Sequence, residues 1–226
     1  MISFVTLAIV SIHPNECWKS IPGGFKGNGV YDAAIDKFAQ QICVFVEIGS
    51  LMGQSTCYMA NSLKLRNISH VQFDVIDYWA SLHVTRPDVS FDWLPSHQMK
   101  AARRFGKGEM SMAWHHYMLK TRSWEMIRNV FHGSSTDPNI AQKYDDLSID
   151  FVYLDTAHEA SITTQELDLW WPKVKRQGLL CGDDYHPPDG SSTTLNNYAK
   201  AVDAWFNYNG LVVKYEGNSQ FCVTKI

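Results

Sequence analysis

Four short apolar runs punctuate the chain after Ile42: CVFVEI (43–48), VQFDVI (71–76), IDFVYLD (149–155) and GLLCGDD (178–184). Their length and their Val, Ile, Phe and Tyr content predict buried strands. Helical patterns lie between them. Residues 161–175 set Leu167, Trp170 and Val174 at helical spacing, which predicts a helix laid on a sheet, and Met110 to Lys120 is helical in pattern. Strands alternating with helices predict βαβ units with right-handed crossovers. The end differs. LVVKYE and SQFCVTKI flank a tight Gly217-Asn218 turn, so an antiparallel hairpin is expected there. The fold class is α/β, a doubly wound, mostly parallel sheet with a C-terminal antiparallel hairpin.

The 226 residues suffice for one sizeable core, and a single domain over 1–226 is expected. Within it, residues 1–40 read as an N-terminal arm or substrate cap. Residues 80–123 read as an insert, either a lid or an extra helical pair, rich in aromatics and holding His83, His97, His115 and His116. Apolar residues make up 45% and charged residues 19%, which excludes broad disorder. A net charge of −3 argues against non-specific nucleic-acid binding. Lys100, Arg103, Arg104 and Lys107 read as one solvated helix face. Five widely spaced cysteines without a CxxC pair predict reduced thiols and a cytoplasmic setting. The opening MISFVTLAIVSI lacks a positive n-region and is too short to span a bilayer. It reads as a strand or buried arm, with a targeting remnant as the alternative, and no membrane partner is expected.

The chemistry concentrates at strand ends. After the first strand comes Glu47-Ile48-Gly49-Ser50-Leu51-Met52-Gly53-Gln54-Ser55, a carboxylate followed by two glycines and small polar residues. In an open α/β sheet this edge binds ligands, and glycine lets backbone approach closely. A GxxxG pattern is weaker than the dinucleotide fingerprint, so a nicotinamide cofactor is disfavoured. A plain strand-to-helix turn is the alternative. The second strand ends in Asp77, placed to accept hydrogen bonds from a ribose or else to cap a turn.

The strongest signal lies in residues 150–186. One strand ends LDTAH, with Asp155 three residues before His158; the next ends GDDYH, with Asp183 and Asp184 adjacent. On neighbouring strands these three carboxylates would repel unless a divalent cation, best Mg²⁺, sat among them. The alternative makes Asp183-Asp184 a turn and cap before Pro187 and Pro188. His158 is the candidate general base for a hydroxyl made acidic by the cation.

Together these residues resemble the class I S-adenosylmethionine-dependent methyltransferases, in their metal-dependent O-methyltransferase branch, from residue 38 onward. Catechol O-methyltransferase-like enzymes carry E-x-G-x-x-x-G-x-S, which Glu47, Gly49, Gly53 and Ser55 match. The resemblance implies a Rossmann-like methyltransferase fold and S-adenosylmethionine, with those four residues at its methionine end. It further implies Asp77 at the ribose and Ser135, within Gly133 to Asp137, near the adenine. Asp155, Asp183 and Asp184 take the metal positions, with Asp155 also beside the cofactor. Where catechol-type enzymes carry lysine this chain has His158, more like the macrocin-type sugar O-methyltransferases. The implied partner is a hydroxylated small molecule: a sugar, a glycoside or a vicinal phenol. Related enzymes are often dimeric or larger, which implies a homo-oligomer. Trp79, Phe91, Trp93 and Trp114, with the arm around Trp18 to Tyr31, are candidates for the substrate wall.

Overall fold

The computed structural model describes residues 14–83, 94–187 and 193–226. The apolar run at 1–12, Phe91, Trp93 and Pro188 lie outside the described residues.

The strands are β1 (Cys43–Ile48), β2 (Val71–Asp77), β3 (Ile127–His132), β4 (Ile149–Leu154), β5 (Val174–Gly182), β6 (Lys214–Gly217) and β7 (Gln220–Thr224). They form one sheet in the order β3-β2-β1-β4-β5-β7-β6, parallel from β3 to β5 and antiparallel at β5-β7-β6. The chain runs outward from β1 to β3, then returns to lay β4 on the other side of β1. That reversal opens a crevice at the carboxyl ends of β1 and β4, the place where doubly wound sheets bind ligands.

Strand alternation sorts the side chains into two cores. Phe45, Phe73, Phe151 and Tyr153 face one side, where α1 (Asn28–Phe38), α2 (Gln54–Leu65), α3 (Ser96–Gly106) and α4 (Met110–Lys120) pack. Val46, Ile48, Val152 and Leu154 face the other, under α5 (Pro138–Ala141), α6 (Ala160–Trp170) and α7 (Thr194–Tyr208). Both faces are covered, which is why the central strands read as continuous apolar runs rather than alternating ones.

Three details depart from the sequence reading. The helix expected over 161–175 ends at Trp170; Pro172 follows in a 3-10 turn, and Val174 already belongs to β5. Leu167 and Trp170 keep their place in the core, whereas Val174 reaches it from the sheet. The hairpin turn centres on Asn218 and Ser219, both with positive φ, because Gly217 pairs with Gln220. The insert contains the helical pair α3–α4, and the four basic residues on and after α3 are exposed, as expected.

The third departure is chemical. Cys181 and Cys222 stand directly opposite each other in the β5–β7 register and are joined by a disulfide. Cys17, Cys43 and Cys57 are free. Five reduced thiols were the wrong reading: strand register, invisible in cysteine spacing, brought two of them together. The compositional argument for a reducing compartment loses its basis with it. Among the described residues no helix is long and apolar enough to cross a membrane.

Candidate active site

A cavity of about 590 Å³ opens in the crevice. Ser50, Leu51 and Ser55 line it after β1, Asp77 and Trp79 after β2, and Ser134 to Thr136 after β3. Asp155 and His158 line it after β4, and Asp184 after β5. The arm supplies Pro22 to Phe25. Trp114, considered for the substrate wall, is instead buried behind it.

The β1 loop is held from within. Gly49 and Gly53 have φ of +90° and +87°. A Cβ on Gly49 would sit 1.7 Å from the Asp155 carbonyl oxygen; one on Gly53 would strike Met118 and the Trp114 ring. The glycines therefore let the β1 loop touch the β4 loop and α4. Asp77 folds the same loop. Its Oδ2 accepts from the Ser50 and Leu51 amides at 2.6 and 2.7 Å, and its Oδ1 from the Trp79 amide at 2.6 Å. Burial pushes its pKa up, and these three amides oppose that.

Glu47 lies buried behind the loop and does not line the cavity. A hydrogen-bonded chain runs to it: Trp114 Nε1 donates to the Ser50 hydroxyl at 2.7 Å, which meets the Thr56 hydroxyl at 2.5 Å, and Thr56 donates to Glu47 Oε2. Tyr31 donates to Oε1 at 3.0 Å. Burial still dominates and raises the Glu47 pKa to about 7, with the hydroxyl donors of Ser55, Thr56 and Tyr31 pulling against it.

The β4–β5 side is different in kind. His158 stands between two carboxylates, its Nε2 3.7 Å from Asp155 Oδ1 and its Nδ1 3.6 Å from Asp184 Oδ2. Both separations exceed a hydrogen bond. Nε2 is buried with no hydrogen-bond partner, and the ring rests edge-on against Tyr198 at 4.8 Å. Burial lowers the His158 pKa, with Asp184 pulling the other way. Asp155 is held well above the usual carboxylate range by burial, then by the charges of Asp183 and Asp184. Asp183 is raised by burial. It sits behind the cavity wall, where Gln220 Nε2 donates to its Oδ1 at 2.7 Å.

Asp155, His158 and Asp184 thus meet on one wall with Asp183 close behind. Among the described residues no three acids, histidines or cysteines already surround a point fit for a metal ion. The donor set nevertheless suits a hard cation: carboxylate oxygens only, with Asp155 raised partly by its acidic neighbours. Backbone strain marks the same rim. Leu51, Trp79, His158 and Asp184 all line the cavity with φ between +40° and +54°. Such conformations persist only where the surroundings impose them.

Sequence reasoning missed Gln54. At the start of α2 it accepts from the Phe25 amide at 2.9 Å and donates to the Ile21 carbonyl at 3.1 Å, fastening the arm to the rim. Nothing in its spacing marks it, because its partners are backbone atoms some thirty residues earlier. Ser135 lies on the cavity wall, and its carbonyl accepts from Trp170 Nε1 at 2.8 Å.

A family model described as a methyltransferase domain matches residues 46–185, the stretch from β1 through the acidic pair. The chain belongs to this family, and with its fold it is a class I S-adenosylmethionine-dependent methyltransferase. Solved structures share the architecture at low identity. A Corynebacterium glutamicum protein aligns at 13% identity and TM-score 0.57, over 93% of this chain and 85% of its own. The O-methyltransferase NovP aligns at 15% and 0.58, over 89% and 80%. CalS11, a calicheamicin methyltransferase, aligns at 12% and 0.55, over 87% and 77%. No curated protein matches the chain.

Proposed function

We propose that the chain moves the methyl group of S-adenosylmethionine to a hydroxyl of a small molecule, a sugar, glycoside or vicinal phenol, with His158 as base and a divalent cation assisting. The observation that carries this reading is the unpartnered Nε2 of His158, lodged among carboxylates on the wall of the cavity that the glycine loop also borders. Burial favours the neutral imidazole, the form that can take a proton at that atom. The charge of Asp184 then stabilises the imidazolium that forms. Asp155, Asp183 and Asp184 would hold Mg²⁺, which when bound makes an acceptor hydroxyl more acidic. Phe25, Trp79 and Ile162 give the cavity apolar surface. The sulfonium carries the reactivity, and the chain's task is to orient the acceptor. NovP is an O-methyltransferase and CalS11 a TDP-rhamnose 3'-O-methyltransferase, which supports oxygen as the acceptor atom.

A metal-independent form of the same reaction is the second reading. It is favoured by the two carboxylates already flanking His158. Methyl transfer to a panel of sugars, glycosides and catechols, with and without EDTA, separates the two. Chelator-sensitive transfer supports the cation; transfer unaffected by EDTA removes it. Cofactor binding with no transfer to any hydroxyl acceptor overturns the catalytic reading altogether.

A further inference from the structure

Away from the acids, two free thiols meet where the arm crosses the cofactor helix. Cys17, in the 3-10 turn Pro14–Ser20, has its Sγ 3.3 Å from that of Cys57 on α2. They stand forty positions apart in the sequence, so only the fold explains the meeting. We propose that Cys17 and Cys57 form an oxidation site, a reversible disulfide that staples the arm over the cofactor cavity.

The geometry is close to bonding. The sulfurs need to approach from 3.3 Å to the ~2.05 Å of a disulfide, a shift the half-exposed 3-10 turn can supply. The chemical asymmetry also suits the step. Cys57 is lowered to about 7, first by the hydrogen bond from Cys17, then by Ser123, Thr121 and Lys64, against the effect of burial. Cys17 is correspondingly raised and keeps its proton. Cys57 is fully buried and Cys17 only partly, so an oxidant meets the pair from the Cys17 side, where one sulfur reacts and the other resolves. The Cys57 thiolate attacks one peroxide oxygen, the O–O bond breaks, and the departing hydroxide takes up a proton to become water. The Cys17 sulfur then attacks the sulfenic acid, forming the S–S bond. The hydroxyl leaves with the Cys17 proton as a second water. Two thiols and one peroxide give one disulfide and two waters.

The staple would act on the cavity because the arm is continuous with its rim. From Cys17 the chain passes Trp18, whose ring packs edge-on against Tyr58 of α2 at 5.5 Å. It then reaches Ile21 and Phe25, both tied to Gln54, and Pro22 to Phe25 line the cavity. Swinging the arm aside breaks neutral contacts when the thiols are reduced and a covalent bond when they are oxidised. Cofactor exchange should therefore slow on oxidation, an effect that rests on the cofactor lying against the glycine loop.

The test treats the purified protein with hydrogen peroxide and maps peptides without reduction. A Cys17–Cys57 cross-linked peptide, with Cys43 still free, is expected. Stopped-flow release of S-adenosylhomocysteine should slow about tenfold after oxidation and recover with dithiothreitol. The Cys17→Ser protein should show neither change. It retains the Cys181–Cys222 bond, so any effect of reductant common to both proteins belongs to that bond. Oxidation that gives sulfinic acid without the cross-link, or a cross-link that leaves release unaltered, overturns the proposal. The peptide map needs no turnover. A protein that forms the cross-link yet transfers no methyl group would fail as an O-methyltransferase and keep its oxidation site.

Discussion

The two halves of the cavity wall solve opposite problems. On the β1–β2 side nearly every polar group has a partner inside the protein. Asp77 takes three backbone amides, and a chain of hydroxyls feeds Glu47. On the β4–β5 side the acids crowd one another and His158 Nε2 has no partner. A wall whose hydrogen bonds are internally complete presents a fixed shape and needs only a complementary ligand. A wall with unresolved charge holds strain that something bound can relieve. The first suits a cofactor of constant structure, the second a site of reaction.

Asp183→Ala should separate the halves most sharply. Transfer should fall about a thousandfold, the scale of several kcal/mol of charge stabilisation lost with a metal ligand. S-adenosylhomocysteine affinity, measured by calorimetry, should change less than about threefold. A variant retaining a tenth of wild-type turnover would leave Asp183 only its bond to Gln220. Next comes Gly49→Ala, which attacks the point where the halves touch. A methyl group 1.7 Å from the Asp155 carbonyl, on a backbone at φ +90°, should cost about 3 kcal/mol of stability in chemical denaturation. A loss under about 1 kcal/mol would mean that the β4 loop yields easily.

His158→Ala should slow transfer about a hundredfold at neutral pH with little change in cofactor affinity. Unchanged turnover would remove it as base. A smaller and graded effect belongs to Glu47. Its raised pKa contributes stability in the protonated form at low pH, and that contribution is lost as pH rises through about 7. Glu47 lies behind the loop, so an ammonium bound at the proposed methionine end would favour its ionised form across the Ser50–Thr56 hydroxyls. Affinity should therefore climb with pH by up to about tenfold per unit below 7, while the unliganded protein loses stability. Glu47→Gln should flatten both curves; a wild-type affinity already independent of pH would confine Glu47 to the scaffold. The smallest effect is expected at the hairpin turn, where the Ser219 carbonyl accepts from the Tyr185 amide beside the acidic pair. Ser219→Gly, at φ +67°, should stabilise the hairpin by about 0.5 kcal/mol in thermal unfolding; a loss of stability would mean that φ costs nothing there.

The central strands were legible in the sequence because burial on both faces removes polar interruptions from them. β3 was not, since IRNVFH lies at the sheet edge and carries Arg128 and Asn129, which make sense only as partners of the buried Asp74. The site was legible wherever chemistry sits at a strand end: Asp77, Asp155, His158 and Asp184 all reach the cavity. Glu47 and Asp183 were expected to face a ligand and instead lie behind the wall, because strand position fixes a residue's height in the sheet while its depth depends on tertiary packing. The glycines pointed to close approach, but the sequence could not say that the nearest approaching group is the Asp155 carbonyl. Cysteine pairing was illegible for a related reason: both the Cys181–Cys222 bond and the Cys17–Cys57 contact join segments distant in the chain.

The bond between β5 and β7 bears on how the protein is handled. It closes a segment of 41 residues, a constraint worth about 4 kcal/mol in the chain-entropy picture. Along those two strands it lies two residues from Asp183 on one and two from Gln220 on the other. A preparation kept in strong reductant and one purified in air are thus different molecules at the edge that backs the acids. Assays and melting curves from the two belong on separate axes, and an expression host with an oxidising compartment is the sounder source.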